Sequence, residues 1–359
     1  MKSSHLKTSD FDYCLPQELI AQHPSDRRDS SRLMVIDRKK GTIEHKIFNN
    51  IKQHMNKDDL LVLNDTKVIP ARLYGKKYGG SAEIEVLLDK RIDEMTWEAL
   101  IRPAKRLDIG GIIELGKGFY AEVREKLPDG KAVLFFASVD GFAKELKAHG
   151  NVPLPPYINA DSSQLTAFSK RYQTVYAEKE GATAAPTAGL HFTKELLRSI
   201  RAKKTYVTLH TGYGTFAPVR TELITDHKMH GEEYEISDGS LGSIRSTREN
   251  GGRVIAVGTT SARLLESAHR PGTGTTDLFI YPGYEFKVVD ALITNFHLPR
   301  STLMMLVSAF AGIDLTKKAY TEAIKEKYRF FSFGDAMLII SRCPLRRAKR
   351  GERDGRWEM

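Results

Sequence analysis

The chain carries four histidines in loops poor in charge and rich in glycine, proline and hydroxyl side chains. They are His191 in PTAGLHFT, His210 in LHTGYGTF, His230 in MHGEEYEI and His297 in TNFHLPRSTL. Imidazole ordinarily titrates close to neutrality, so a histidine held beside permissive backbone is suited to moving protons. Residues 181–193, GATAAPTAGLHFT, contain no Asp, Glu, Lys or Arg and end shortly after His191. Such a stretch is either a tightly packed buried connection or a loop that hugs a ligand, because small side chains let another group reach the main chain. A second stretch of the same character, TLHTGYGTFAPV at 208–219, favours the ligand. A lone histidine is most often a hydrogen-bonded core or surface residue, and four in loops of this kind are harder to assign to packing alone.

Other constellations narrow the chemistry. Val257-Gly258-Thr259-Thr260-Ser261 turns from a strand into a helix, where free N–H groups and hydroxyls could hold a carboxylate or a phosphate. The plainer role for Thr260 or Ser261 is to cap the helix. Gly212-Tyr213-Gly214 invites a nucleotide-fold reading, but a Rossmann glycine loop opens a helix and here Pro218 follows closely. A methyltransferase of the usual Rossmann type is therefore disfavoured. No histidine pair has the spacing of a helical zinc site and neither Cys14 nor Cys343 lies nearby, so no metal is expected. His227 and His230 could share a helical face, yet their surroundings read as irregular. Arg72 in IPARL, Arg102, Lys105 and Arg106 in RPAKRL, and Arg171 in RYQTVY are candidate phosphate contacts, with Tyr157, Tyr172 and Phe216 available to stack on a base. The alternative is solvated charge on strand edges.

The elements that must position these residues follow from periodicity. DLLVLND is a continuous apolar run of strand length that ends in Asn64-Asp65-Thr66, and strand ends of this kind are where α/β proteins place ligands. RLMVIDRKKGTIEHKIF reads as a hairpin, and PQELIAQ and FNNIKQHM as short helices. Between residues 71 and 150 the texture changes to five short strands, AEIEVLL, TWEALIRPA, GIIELG, FYAEVREKL and AVLFFAS, split by glycine-bearing turns and closed by a helix at FAKELKAHG. This predicts a small β-barrel or sandwich. After Val152 the alternation resumes: TKELLRSIRAKK is helical with Thr193 as its cap, YVTLHTG is a strand, RVIAVGTTSARLLESA is strand, turn and helix, and LMMLVSAFAG is helical. The fold class is thus an α/β large domain with a mixed sheet, residues 1–70 and 151–340, carrying an inserted all-β barrel-like domain, residues 71–150.

The 359 residues suffice for two domains. No apolar run is long enough to span a membrane, the first ten residues are polar, and two cysteines near opposite ends suggest a reducing cytoplasm and no disulfide framework. The net charge of +10 points to a polyanionic partner. Residues 341–359 contribute seven basic against three acidic side chains, which leaves +6 for the rest. That tail has no apolar periodicity and is expected to be disordered and dispensable.

PTAGLHFT, LHTGYGTFAPV, MHGEEYEI, VGTTSARLLE, YPGYEFKVVDALITNFHLPRSTL and YRFFSFGDAMLI occur in this order, preceded by LPQELIAQHP, RDSSRLMVIDR, LNDTKVIPARL, RPAKRL and VPLPPYI. Together, across residues 15–340, they resemble the S-adenosylmethionine:tRNA ribosyltransferase-isomerase family of the queuosine pathway. The resemblance implies a barrel inserted into an α/β domain and a monomeric, metal-free enzyme. That enzyme would use S-adenosylmethionine as co-substrate, with no permanently bound cofactor. Its ribosyl portion would pass to 7-aminomethyl-7-deazaguanine at the wobble position of tRNA, giving epoxyqueuosine, adenine and methionine. The expected acid/base residues are His191, His210 and His297, with Glu285 and Arg263 as neighbours. Asp65 and Asn295 would touch ribose or base hydroxyls. Further substrate contacts are expected from Asn64, Arg72, Gly189, Gly212, Gly214, Thr215, Phe216, Gly258, Thr259, Thr260, Ser261 and Tyr284. Contacts to RNA are expected from Arg102, Lys105, Arg106 and Arg171. Between LLES and LFIYPG the chain has only AHRPGTGTTD, shorter than that family leads one to expect. Two other classes compete: a non-catalytic RNA-binding protein, which would not need the histidine-bearing loops, and a metal-dependent hydrolase, which would need ligand spacing the chain lacks.

Overall fold

The computed structural model describes residues 6–159, 161–212 and 219–340. Gly214, Thr215, Phe216 and the basic tail lie outside the described residues. The centre of the large sheet is β3 (Leu60–Asn64), all five residues of which are buried. A strand covered on both faces reads as an unbroken apolar run, which is how LLVLN arises. Its parallel neighbours are β12 (Lys203–Leu209) and β14 (Val254–Val257), so that Leu61 lies opposite both Lys204 and Ile255. Beyond β14 come β16 (Ala291–Asn295), β17 (Ala336–Ile340), β1 (Arg32–Asp37) and β2 (Thr42–Ile47). Beyond β12 come β13 (Glu232–Ile236) and β15 (Gly272–Thr276). The nine-stranded sheet is mixed as expected, with β16–β17, β12–β13, β13–β15 and the β1–β2 hairpin antiparallel.

Alternation along each strand feeds two cores. Leu60, Val62, Ala256 and Leu292 join one with α5 (Thr259–Ser267), α6 (Thr302–Ala311), α7 (Ile313–Lys325) and α4 (Asp238–Glu249). Leu61, Leu63, Ile255 and Ile293 join the other with Phe48, Phe192 and α3 (Lys194–Ser199). Thr193 caps α3 as read from the sequence, its Oγ1 accepting from Leu196 N–H at 3.0 Å.

Six strands close the barrel: β5 (Arg72–Lys77), β6 (Glu83–Arg91), β7 (Thr96–Arg102), β8 (Ile112–Gly116), β9 (Phe119–Lys126) and β10 (Lys131–Ser138), in the order β10-β7-β6-β5-β8-β9. Trp97, Ala99 and Ile101, and likewise Phe119, Ala121 and Val123, point inward. Phe142 and Leu146 of α1 (Phe142–His149) join that core. The unanticipated sixth strand is β5, whose only buried residue is Leu73. Where the chain enters and leaves the barrel, Arg72 and Asn151 exchange two backbone hydrogen bonds of 3.0 and 2.8 Å. Just outside that joint β4 (Thr66–Val68) pairs in parallel with β11 (Lys179–Ala182).

Several local readings change. PQELIAQ forms only one 3-10 turn, Gln17–Leu19, with Pro16 ahead of it, and Phe48–His54 is a 3-10 helix. In the latter Phe48 and Ile51, three apart, fall on one buried side, as three residues per turn requires. Neither α2 (Ser162–Arg171) nor α4 was anticipated. The short segment after LLES is no bare loop, since it carries the edge strand β15.

Barrel closure depends on Gly75, where an added Cβ would overlap the Glu114 carbonyl on β8. Gly75→Ala should therefore cost about 1–3 kcal/mol. Amide exchange should accelerate in β5, β8 and β9 while β3 and β14 keep their protection.

Candidate functional site

The strand-to-helix turn at 257–261 is made by Gly258, whose φ of +92° is open to glycine at little cost. Neither hydroxyl read as a possible cap performs that role. Ser261 Oγ donates to Val257 O at 2.8 Å, and Thr260 Oγ1 accepts from Asn64 Nδ2 at 3.2 Å. Among the described residues no side chain caps α5, and Gly258, Thr259 and Thr260 at its start border a cleft. Residues 184–188 form one wall, and Thr211, Thr294, His297 and Leu303 complete the lining with Gly258, Thr259 and Thr260. The charge-free stretch is both buried and cleft-facing: Ala184, Ala185 and Ala188 are buried and still line the cleft.

The three histidines are placed unequally. His297 lines the cleft and is buried, with Nε2 2.7 Å from Thr294 Oγ1. Its main chain is fixed by Tyr320, whose hydroxyl accepts from the His297 N–H at 3.0 Å, and by Tyr13, whose hydroxyl donates to the carbonyl. Burial pushes its pKa down to about 3. His191 does not line the cleft. Its Nδ1 lies 2.7 Å from Ser31 Oγ and its ring stacks on Phe48 at 4.9 Å. Burial again pushes its pKa to about 3, with Asn295 the main opposing influence, although His191 Nε2 and Asn295 Oδ1 make no hydrogen bond of acceptable geometry. His210 follows β12, is half-buried, and places Nδ1 2.8 Å from Thr66 Oγ1. Burial lowers its pKa and the nearby Glu233 opposes the shift. The next residue, Thr211, accepts from Thr183 N–H at 2.9 Å, which ties the 208–212 segment to the small-residue loop.

Other expected contacts prove to be internal. Asn64 is fully buried and its carboxamide is saturated, by Leu209 O and Thr260 Oγ1 as acceptors and by the N–H groups of Thr66 and Leu209 as donors. Asp65 accepts from Thr208 Oγ1 at 2.7 Å, and burial raises its pKa. Arg263 is buried, paired with Glu232, and donates to Leu278 O at 2.9 Å. Tyr284 donates to Glu266, and Glu285 is exposed. Gly189 is explained by packing, because a Cβ there would overlap the Tyr176 hydroxyl. At Gly212 a Cβ would come within 2.9 Å of Asp89 Oδ1, a barrel side chain.

Among the basic residues, Arg72 pairs with Glu85 at 3.1 Å at the barrel joint. Arg102, Lys105 and Arg106 are exposed at the barrel rim, where Lys105 also borders a groove shared with Lys126 and Lys131. Arg171 donates to Ser25 O at 2.7 Å and Asp26 O at 3.0 Å. Tyr172 is fully buried and cannot stack on a base, and Tyr157 packs on Phe331 at 4.8 Å. Sequence reasoning missed Thr211 and Thr294, hydroxyls at strand ends beside the histidines. It also missed Glu266, whose carboxylate gathers the N–H groups of Lys287, Val288 and Val289. Among the described residues no group of three or more His, Cys, Asp or Glu could hold a metal ion, and no helix is long and apolar enough to cross a membrane.

The chain belongs to the queuosine biosynthesis proteins, whose family model matches residues 8–339. Among its relatives, proteins of Halothermothrix orenii and Acetivibrio thermocellus, each called S-adenosylmethionine:tRNA ribosyltransferase-isomerase, are both 53% identical to it. Each comparison covers 93% of this chain and all of the relative. The crystal structure of S-adenosylmethionine tRNA ribosyltransferase from Thermotoga maritima is 40% identical and aligns with a TM-score of 0.53. It covers 92% of this chain and all of that one.

The two buried rings also set a pH dependence. Unfolded histidine takes up a proton near its ordinary pKa, 6.5, whereas His191 and His297 resist protonation until about pH 3. Stability should be full above pH 6.5 and fall as the pH drops toward 3, by up to about 2 kcal/mol per ring at pH 5. Melting curves between pH 7 and 5 should show the decline, and His191→Asn should make it shallower.

Proposed function

We propose that the chain transfers and isomerises the ribosyl portion of S-adenosylmethionine onto 7-aminomethyl-7-deazaguanine at the wobble position of tRNA, releasing adenine and methionine. The observation that carries this reading is 53% identity over the full length of relatives bearing that activity in their names. The uncapped, histidine-bearing cleft is consistent with it. We propose further that residues 71–150 form a unit inserted between 1–70 and 151–340, and that the enzyme is a cytoplasmic monomer with no permanently bound cofactor.

The sulfonium acidifies the adjacent ribose C5′ protons, so a neutral base of modest strength suffices to remove one, and departing adenine needs a proton. Among the three candidates base strength decides. A ring pushed down to about pKa 3, as at His191 and His297, is a poor proton acceptor. His210 is only half-buried, burial holds its pKa below the ordinary value without the large drop of the other two, and among the described residues it has no partner on its second ring nitrogen. His210 is the base in this proposal, and His297 orients the co-substrate from the cleft wall.

Incubation with S-adenosylmethionine and precursor tRNA should release adenine only when the tRNA is present. Adenine release without tRNA, or none with it, would refute the reading. On the same assay His210→Ala should lower turnover by roughly 10²–10⁴-fold with little change in the KM of either substrate. A purely structural His210 would instead lower the melting temperature and raise KM together.

The exposed Arg102, Lys105 and Arg106 support phosphate contact at the barrel rim. Replacing Arg102 and Arg106 by Gln should raise the KM for tRNA and reduce the slope of log KM against log salt by about 1–2. The KM for S-adenosylmethionine should stay unchanged.

A further inference from the structure

This inference rests on the function proposed above and names the group bound at one end of the cleft. We propose that the uncapped start of α5, together with Thr211, is the subsite for the carboxylate of the amino-acid portion of S-adenosylmethionine. The first-turn N–H groups of a helix carry partial positive charge and need acceptors, and no side chain among the described residues supplies one at α5. Thr211 gives a second and independent sign. Only 3% of it is exposed, it lines the same cleft, and its Oγ1 has no partner among the described residues. Buried hydroxyls are almost always hydrogen-bonded, so an unpartnered one on a residue that shares a cleft with the uncapped helix start marks where an acceptor arrives.

The rest of the lining specifies which acceptor. Among the described residues no Lys, Arg, Asp or Glu borders the cleft, so charge is met there by backbone N–H groups and hydroxyls. Ala184, Ala185, Pro186, Ala188 and Leu303 give an apolar wall, suited to the two methylenes between the α-carbon and the sulfonium. A phosphodiester would have to bring its two flanking sugars against a wall of small apolar residues. A free carboxylate on an aliphatic stem fits that wall, and an RNA phosphate does not.

The test uses the full chain with saturating precursor tRNA and follows adenine release from S-adenosylmethionine and from its decarboxylated analogue. Loss of charge-assisted hydrogen bonds should raise the KM of the analogue by roughly 10–100-fold. Thr211→Val should raise the KM for S-adenosylmethionine about 10-fold at nearly unchanged kcat and leave the analogue unaffected. Equal kcat/KM for the two co-substrates on the unaltered protein would overturn this subsite while leaving the proposed function standing. Absence of tRNA-dependent adenine release from S-adenosylmethionine itself would overturn the function instead. If Thr211→Val raised the KM for tRNA and not for S-adenosylmethionine, the cleft would be a phosphate site and the inference would fail. The analogue comparison needs no variant, so it remains decisive even if Thr211→Val folds poorly.

Discussion

The Asn64 carboxamide, sealed at the end of the central strand, makes four hydrogen bonds at once. It donates to Leu209 O and Thr260 Oγ1 and accepts from the N–H groups of Thr66 and Leu209. The ladder between β3 and β12 runs out where Val207 meets Asn64, and beyond it the side chain takes over the work of the backbone. A carboxamide buried without partners would be strongly disfavoured, so these bonds hold three segments in one arrangement. They are the start of β4, the end of β12 with His210 and Thr211 after it, and the first turn of α5. Of the cleft lining, Thr211 and residues 258–260 are referred to this one side chain, whereas 184–188, the Thr294–His297 corner and Leu303 are not. The 184–188 wall is attached secondarily, through Thr183 on Thr211.

Burial also sorts the histidines by chemistry. A desolvated imidazole cannot afford the charged form, so His191 and His297 act as neutral hydrogen-bonding rings across the physiological range. His210, half-buried just past the end of β12, is shifted down less far. The same solvent exclusion that keeps a ring neutral makes it a poor proton acceptor.

Legibility in the sequence followed burial. LLVLN was readable as a central strand because both of its faces are covered, and the barrel because inward and outward residues alternate along most of its strands. β5 was lost because YGKK turns almost entirely to solvent and leaves no alternation. Residues 184–188 and 258–260, within the stretches singled out by their lack of charge and their glycine, border one cleft. What sequence could not give is the direction of a side chain. Arg263 and Tyr284 lie in motifs expected to touch substrate and are spent on Glu232 and Glu266, whereas Thr211 and Thr294 carry no signal apart from many other threonines yet line the cleft. Asn64, expected at the ligand, has no donor or acceptor left for one.

The bridge between Arg72 and Asn151 bears on the order in which the chain assembles. The central pairing of β3 with β12 joins segments far apart in sequence, and so does that of β4 with β11. Pairings of this kind are slow because the intervening loop must close first. Once the barrel has formed, its entrance and exit are held side by side by two backbone hydrogen bonds. For the rest of the chain the barrel then behaves as a short tether, and each halving of effective loop length removes about 0.6 kcal/mol of closure entropy. An insertion stitched at its base in this way brings the two halves of the host sheet together.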